Sequence, residues 1–222
     1  AEGKVVTAQA LGGTGALKVG ADYLKRLLPE ATVYISDPSW ENHRAIFETA
    51  GFPVDTYPYY DAATRGVDFA AMSARLGALP AGSIVVLHAC CHNPTGADLS
   101  EAQWHEVIEV VKGRGLVPFI DMAYQGFADG IAEDALALYL FVASGVQFFV
   151  STSYSKSFSL YGERVGALSV VTASKDESAR VLSQIKRLIR SNYSNPPTHG
   201  GAVVAAVLAS AELRRMWKAE LV

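Results

Sequence analysis

Lys156 stands in Ser153-Tyr154-Ser155-Lys156, just after the apolar run Gln147–Val150, and Arg164 follows eight residues later. Upstream, Val117-Pro118-Phe119-Ile120-Asp121 ends a second apolar run on an aspartate. An amine past the end of one strand can form a Schiff base with an aldehyde. A carboxylate at the end of the strand before it can hold a proton on a ring nitrogen. Together they are the two groups that pyridoxal-phosphate chemistry requires.

Other residues join this pair. Gly12-Gly13-Thr14-Gly15 precedes a helical segment, where small residues let the backbone approach an anion and the Thr14 hydroxyl adds a donor. The run is neither a dinucleotide fingerprint, because Lys18 occupies the third glycine position, nor a P-loop, because no Gly-Lys-Ser/Thr follows. Ser153, Ser155 and Arg164 supply two hydroxyls and a charged fork for the other side of the same anion. Trp40, past Asp37-Pro38-Ser39, reads as a turn staple or as an aromatic plate against a planar ring. His43 is either a surface histidine or a brace for a buried carboxylate. Asn93-Pro94-Thr95-Gly96 is good turn chemistry, but it falls outside the carboxyl end of a strand, where open α/β sheets bind ligands. Asp121 and Tyr124 follow one strand later, and Lys156 one strand after that.

The elements that must position these groups alternate. Strands are expected over Thr32–Ser36, Val54–Tyr57, Ser83–His88, Leu116–Asp121, Gln147–Ser151 and Val165–Val171. Helices are expected over Leu17–Leu28, Trp40–Ala50, after a capping box at Ser100/Gln103, after Ser174/Glu177, and again over Val203–Arg215. Alternation of this kind implies an α/β fold with a mostly parallel sheet and helices on both faces, in one domain spanning residues 1–222.

Composition narrows the function classes. A net charge of −3 with no Lys/Arg block argues against nucleic acid, and no apolar stretch is long enough for a membrane span. Two adjacent cysteines, Cys90 and Cys91, fit a reducing, cytoplasmic setting better than a disulfide framework. His88-Ala-Cys-Cys-His92 has the look of a metal cluster. On a strand, Cys91 would face away from residues 88, 90 and 92, so no metal set is expected. The chain opens on Ala1 in mid-pattern, which suggests a piece of a longer protein.

The stretches GGTGALKVGADYL (12–24), SDPSWENH (36–43), CCHNPTGADL (90–99), DMAYQGF (121–127), SYSKSFSLYGERVG (153–166) and IRSNYSNPP (189–197) run in order along the chain. In them the chain resembles the aspartate/aromatic aminotransferases among fold-type I pyridoxal-phosphate enzymes, with wording closer to the bacterial tyrosine branch. The resemblance implies a seven-stranded-type sheet and a large cofactor domain, without the family's N-terminal arm and most of its C-terminal small domain. It implies Lys156, Asp121 and Tyr124 as catalytic residues. Gly13, Thr14, Trp40, Asn93, Asp121, Tyr124, Ser153, Ser155, Lys156 and Arg164 would hold pyridoxal 5′-phosphate. Trp40, Asn93 and Arg190 would meet substrate, with Arg190 donated across a homodimer interface, and His43 would stand behind Asp121. The implied reaction exchanges an amino group between an aromatic amino acid, or aspartate, and 2-oxoglutarate. The alternatives are a truncated cofactor module that turns over poorly, a decarboxylase or lyase on the same scaffold, and, more remotely, a nucleotide-binding α/β protein.

Overall fold

The computed structural model describes residues 3–221. Seven strands form one sheet: β1 (Val5–Leu11), β2 (Val33–Asp37), β3 (Val54–Pro58), β6 (Ile84–His88), β7 (Val117–Met122), β8 (Phe148–Ser153) and β9 (Val165–Val171), in the order β1-β9-β8-β7-β6-β2-β3. A small separate hairpin carries β4 (Tyr60–Asp61) and β5 (Gly66–Val67). β9 pairs antiparallel with β1 and β8, while the β8-β7-β6-β2-β3 ladder is parallel throughout. The expected strands all form. β1 is an addition, because its Thr7 and Gln9 interrupt the apolar run that would mark a buried strand.

Helices cover both faces. Alternation along each strand sorts the core: Val86, Phe119 and Phe149 face a cluster with Leu17, Leu24, Phe47 and Ile185, which come from α1 (Gly12–Leu27), α2 (Glu41–Thr49) and α6 (Lys175–Asn192). Val85, Leu87, Ile120, Phe148 and Val150 face the opposite way, onto Met72, Leu76, Trp104, Ile108 and Phe141. Those residues come from α3 (Phe69–Gly77), α4 (Glu101–Arg114) and α5 (Leu136–Ser144). Sheet residues buried on both sides explain why the parallel strands read as near-continuous apolar runs.

Caps set the helix ends. Ser100 and Gln103 form the full capping box expected at α4. At α6 only half of it forms: Ser174 accepts from the Glu177 N–H, while Glu177 Oε2 accepts from the Ala173 N–H instead. The final helical stretch is two helices, α7 (Thr198–Ala209) and α8 (Ala211–Leu221), separated where Ser210 turns extended (ψ 122°). α1 starts earlier than expected, so the glycine run is its first turn rather than a lead-in. Gly166 lets this turn lie against β9, because a Cβ there would strike the Gly12 carbonyl group and come within 2.7 Å of the Thr152 oxygen.

Candidate active site

Three strand residues are in register on one face of the sheet: His88 on β6 pairs with Asp121 on β7, and Asp121 with Ser151 on β8. They share the parity of Val86, Phe119 and Phe149, so they lie on the face that α1 and α2 cover. A Ser151 Oγ hydrogen bond to the Gly13 carbonyl at 3.2 Å fastens the start of α1 above them. Past these strand ends lies a cavity of about 300 Å³ lined by Gly13, Thr14, Trp40, Asn93, Asp121, Tyr124, Ser153, Ser155, Lys156 and Arg164. All ten proposed cofactor contacts therefore meet in one place. Leu17, His88, Cys90, Ala123 and Tyr161 also line it and are not among the cofactor contacts expected from the sequence.

One end of the cavity is built for an anion. α1 follows Leu11 with no side-chain cap and no acidic residue in its first turn; the Gly12 N–H donates to the Arg164 carbonyl at 3.0 Å, and Gly13 and Thr14, which line the cavity, meet no competing carboxylate. Gly12 has φ 68°, and a Cβ on it would come within 2.6 Å of Arg164 Nη2. The left-handed glycine is what lets the guanidinium sit against the helix start. Arg164 is oriented by its own Nη1 donating to the Tyr161 carbonyl at 2.8 Å, with the Tyr161 ring 5.7 Å from its Cζ. Ser153 Oγ accepts from the Ser155 N–H at 3.2 Å, which fixes the turn leading to Lys156. Helix N–H groups, two hydroxyls and a guanidinium form a donor set that fits a phosphate dianion.

The same cavity carries the amine and the carboxylate. Lys156 Nζ lies 5.2 Å from the Tyr124 ring centroid and 4.8 Å from that of Tyr161, an aromatic bracket that favours a cation. Asp121 is buried and bonded to His43 Nε2 at 2.8 Å. His43 is the expected brace. It is fully buried, its Nδ1 is 3.0 Å from Ser39 Oγ, and that oxygen is 3.4 Å from His88 Nε2. The Asp121 carboxylate can only accept, so His43 Nε2 carries the hydrogen of that bond. Trp40 packs edge-on against His43, with ring centroids 5.3 Å apart. Arg190 lies elsewhere, exposed at the end of α6 and donating to Ser194 Oγ.

Burial keeps the neighbouring imidazoles neutral. His88 is held well below its ordinary value of 6.5 by desolvation first, then by His43 and His92. His92 is lowered to about 4, again chiefly by desolvation. Both bind fewer protons folded than unfolded below pH 6.5, so stability rises with pH through that window and is lost as pH falls. The slope approaches about 1.4 kcal/mol per pH unit for each histidine. Urea unfolding at pH 7 and pH 5 should show a lower midpoint at pH 5, and His92→Gln should flatten the dependence.

Two carboxylates shape the loops around the cavity. Asp98 accepts from the N–H groups of Cys91 (2.6 Å) and His92 (2.8 Å), which holds the turn carrying Asn93. Buried Asp134 accepts from Gly126, Ala128, Asp129 and Gly130, organising the loop after Tyr124. Asp134→Ala strands these donors and should cost about 2–4 kcal/mol, read by thermal melting and by new proteolysis within residues 126–130. The expected strand geometry around Cys90 does not hold, because β6 stops at His88 and the backbone turns left-handed at Cys91. The two thiols consequently fall on the same side, next to Asp134.

The sequence model of the aminotransferases of class I and II matches residues 1–222. The chain belongs to this family. It is 70% identical over 221 residues to an aspartate aminotransferase of Pseudomonas aeruginosa, covering 100% of this chain and 56% of that protein. It is 57% identical over 218 residues to the aromatic-amino-acid aminotransferase of Escherichia coli, covering 98% of this chain and 55% of that one. A crystal structure of the aromatic-amino-acid aminotransferase from Burkholderia pseudomallei, covalently bound to pyridoxal phosphate, superposes with a TM-score of 0.98. Sequence identity there is 69%, over 99% of this chain and 55% of the other. The chain thus spans a little over half the length of the curated relatives it matches. The fold is that of these aminotransferases, and no helix among the described residues is long and apolar enough to cross a membrane.

Proposed function

We propose that the chain is the cofactor-holding large domain of a cytoplasmic, homodimeric transaminase. It would bind pyridoxal 5′-phosphate and exchange an amino group between an aromatic amino acid, or aspartate, and 2-oxoglutarate. The observation that carries this reading is the union, in one cavity, of an uncapped helix start, a buried carboxylate and a lysine. When bound, the cofactor supplies an aldehyde for an amine and a protonated ring that withdraws electrons from the substrate Cα.

The chain's own residues do the rest. The N–H groups and hydroxyl at Gly13 and Thr14, with Ser153, Ser155 and Arg164, bind the phosphate. Asp121, steadied by His43, holds the proton on the ring nitrogen. Asn93 and Tyr124 would hold the cofactor by its ring oxygen, and Trp40 would help to exclude water. Lys156 would supply the amine for the cofactor's aldehyde and would move a proton at the substrate Cα. Arg190 would reach the neighbouring subunit to meet a distal carboxylate.

One observation favours a second reading, in which a single copy of the chain holds cofactor but turns over slowly. Among the described residues, Lys156 and Arg164 are the only lysine or arginine side chains lining the cavity, so with both assigned to the cofactor no further cation there would orient a substrate carboxylate. Misplaced substrate can cost about 100-fold. Cofactor absorbance measured beside a coupled assay, on tyrosine or aspartate plus 2-oxoglutarate, separates the two. Full loading with turnover supports the first, full loading without turnover supports the second, and no loading refutes both.

A further inference from the structure

Cys90 and Cys91 have no part in the chemistry above, yet the fold brings them together. The left-handed turn at Cys91 (φ 48°), held by Asp98, leaves Sγ of Cys90, Sγ of Cys91 and an Asp134 oxygen within 4.8 Å of one another. Cys90 is buried and lines the cavity, and Cys91 is partly exposed, its Sγ 3.9 Å from the Tyr124 carbonyl oxygen. Neither forms a disulfide.

We propose that Cys90 and Cys91 form a dithiol site for a monosubstituted trivalent arsenical. Such a ligand takes two sulfurs and brings its own third substituent, and two sulfurs are what the surroundings leave free. A tetrahedral metal such as zinc wants four donors. Both oxygens of Asp134 already accept backbone N–H groups, and so do those of Asp98. His92 is bonded at both nitrogens, to Ser36 and Thr95, and His88 Nε2 faces Ser39.

The electrostatics select the same ligand class. Burial, ahead of Cys91 and the Asp134 and Asp98 carboxylates, pushes the Cys90 thiol up, and burial with the same carboxylates raises Cys91. A ligand that condenses with protonated thiols and leaves a neutral product therefore suits the site. With an arsine oxide, two S–H bonds and the As=O bond break and two As–S bonds form. Both protons leave on the oxygen as one water, and arsenic stays trivalent. The arsenic substituent would then sit at the cavity wall, beside Asn93 and Tyr124.

The test titrates the whole chain with phenylarsine oxide, reads intact mass, and counts free thiols after unfolding. One adduct per chain is expected, with both thiols consumed. It should survive excess glutathione and be released by dithiothreitol. Cys91→Ser and Cys90→Ser should each bind the probe about 100-fold more weakly, through one sulfur, and lose it to glutathione. A wild-type adduct that leaves one thiol free, or that glutathione strips as readily as from the variants, overturns the proposal. The wild-type thiol count decides the matter even if a variant fails to fold, and no arm depends on pyridoxal phosphate being bound.

Discussion

Lys156→Ala is expected to abolish covalent capture of pyridoxal phosphate, leaving no borohydride-fixed adduct above the background of surface lysines. The loss should be near complete because, among the described residues, Lys156 is the only lysine that lines the cavity. Its amine is bracketed by the Tyr124 and Tyr161 rings, and the proposed phosphate donors line the same cavity. The variant should still fold. Lys156 is half-buried and follows β8 without belonging to it, so truncation removes no core packing and leaves no buried partner unpaired. Reversible binding through Arg164, Ser153 and the start of α1 should persist, seen as quenching of nearby tryptophan fluorescence. A Lys156→Ala chain that fixes cofactor at wild-type stoichiometry would show that the amine is elsewhere.

Replacing Asp121 is expected to have the next largest effect, on rate more than on capture. The carboxylate is buried, in register with His88 and Ser151, and bonded to a fully buried histidine. A charge-assisted hydrogen bond of this kind is worth about 1.5–3 kcal/mol, or roughly 10- to 100-fold in rate or affinity. Asp121→Ala should slow proton removal from the substrate Cα by at least that factor, measured by rapid mixing of loaded protein with amino acid. It also strands the His43 N–H, at a further cost of about 1–3 kcal/mol in stability. Asp121→Asn keeps an acceptor for His43 but removes the charge. It should recover most of the melting temperature while remaining slow, and a fast, stable Asp121→Asn would separate Asp121 from the chemistry.

Much of this site was legible because its residues follow strand ends, and buried parallel strands announce themselves as apolar runs. Asn93, Asp121 and Lys156 fall after or at the ends of three such runs, β6, β7 and β8, which are neighbours in the sheet. What was not legible depends on longer-range bonds. The turn at Cys91 is set by Asp98, seven residues on, and nothing local predicts a left-handed cysteine. α5 was missed because Leu136–Ser144 is apolar almost throughout and shows no helical stripe. α3 is short, with only Met72 and Leu76 buried. His88 escaped notice as a cavity residue, although its register with Asp121 follows from aligning the two strand ends. Tyr161 lies inside the stretch 153–166, but its place between the Lys156 and Arg164 cations is tertiary.

The most direct measurement is a titration of the wild-type chain with pyridoxal phosphate, followed by borohydride reduction and peptide mapping. The expected result is a saturable absorbance change, one cofactor fixed per chain, and the label confined to the peptide containing Lys156. A label spread over surface lysines such as Lys4, Lys112 and Lys175, without saturation, would contradict the assignment of this cavity as a pyridoxal-phosphate site.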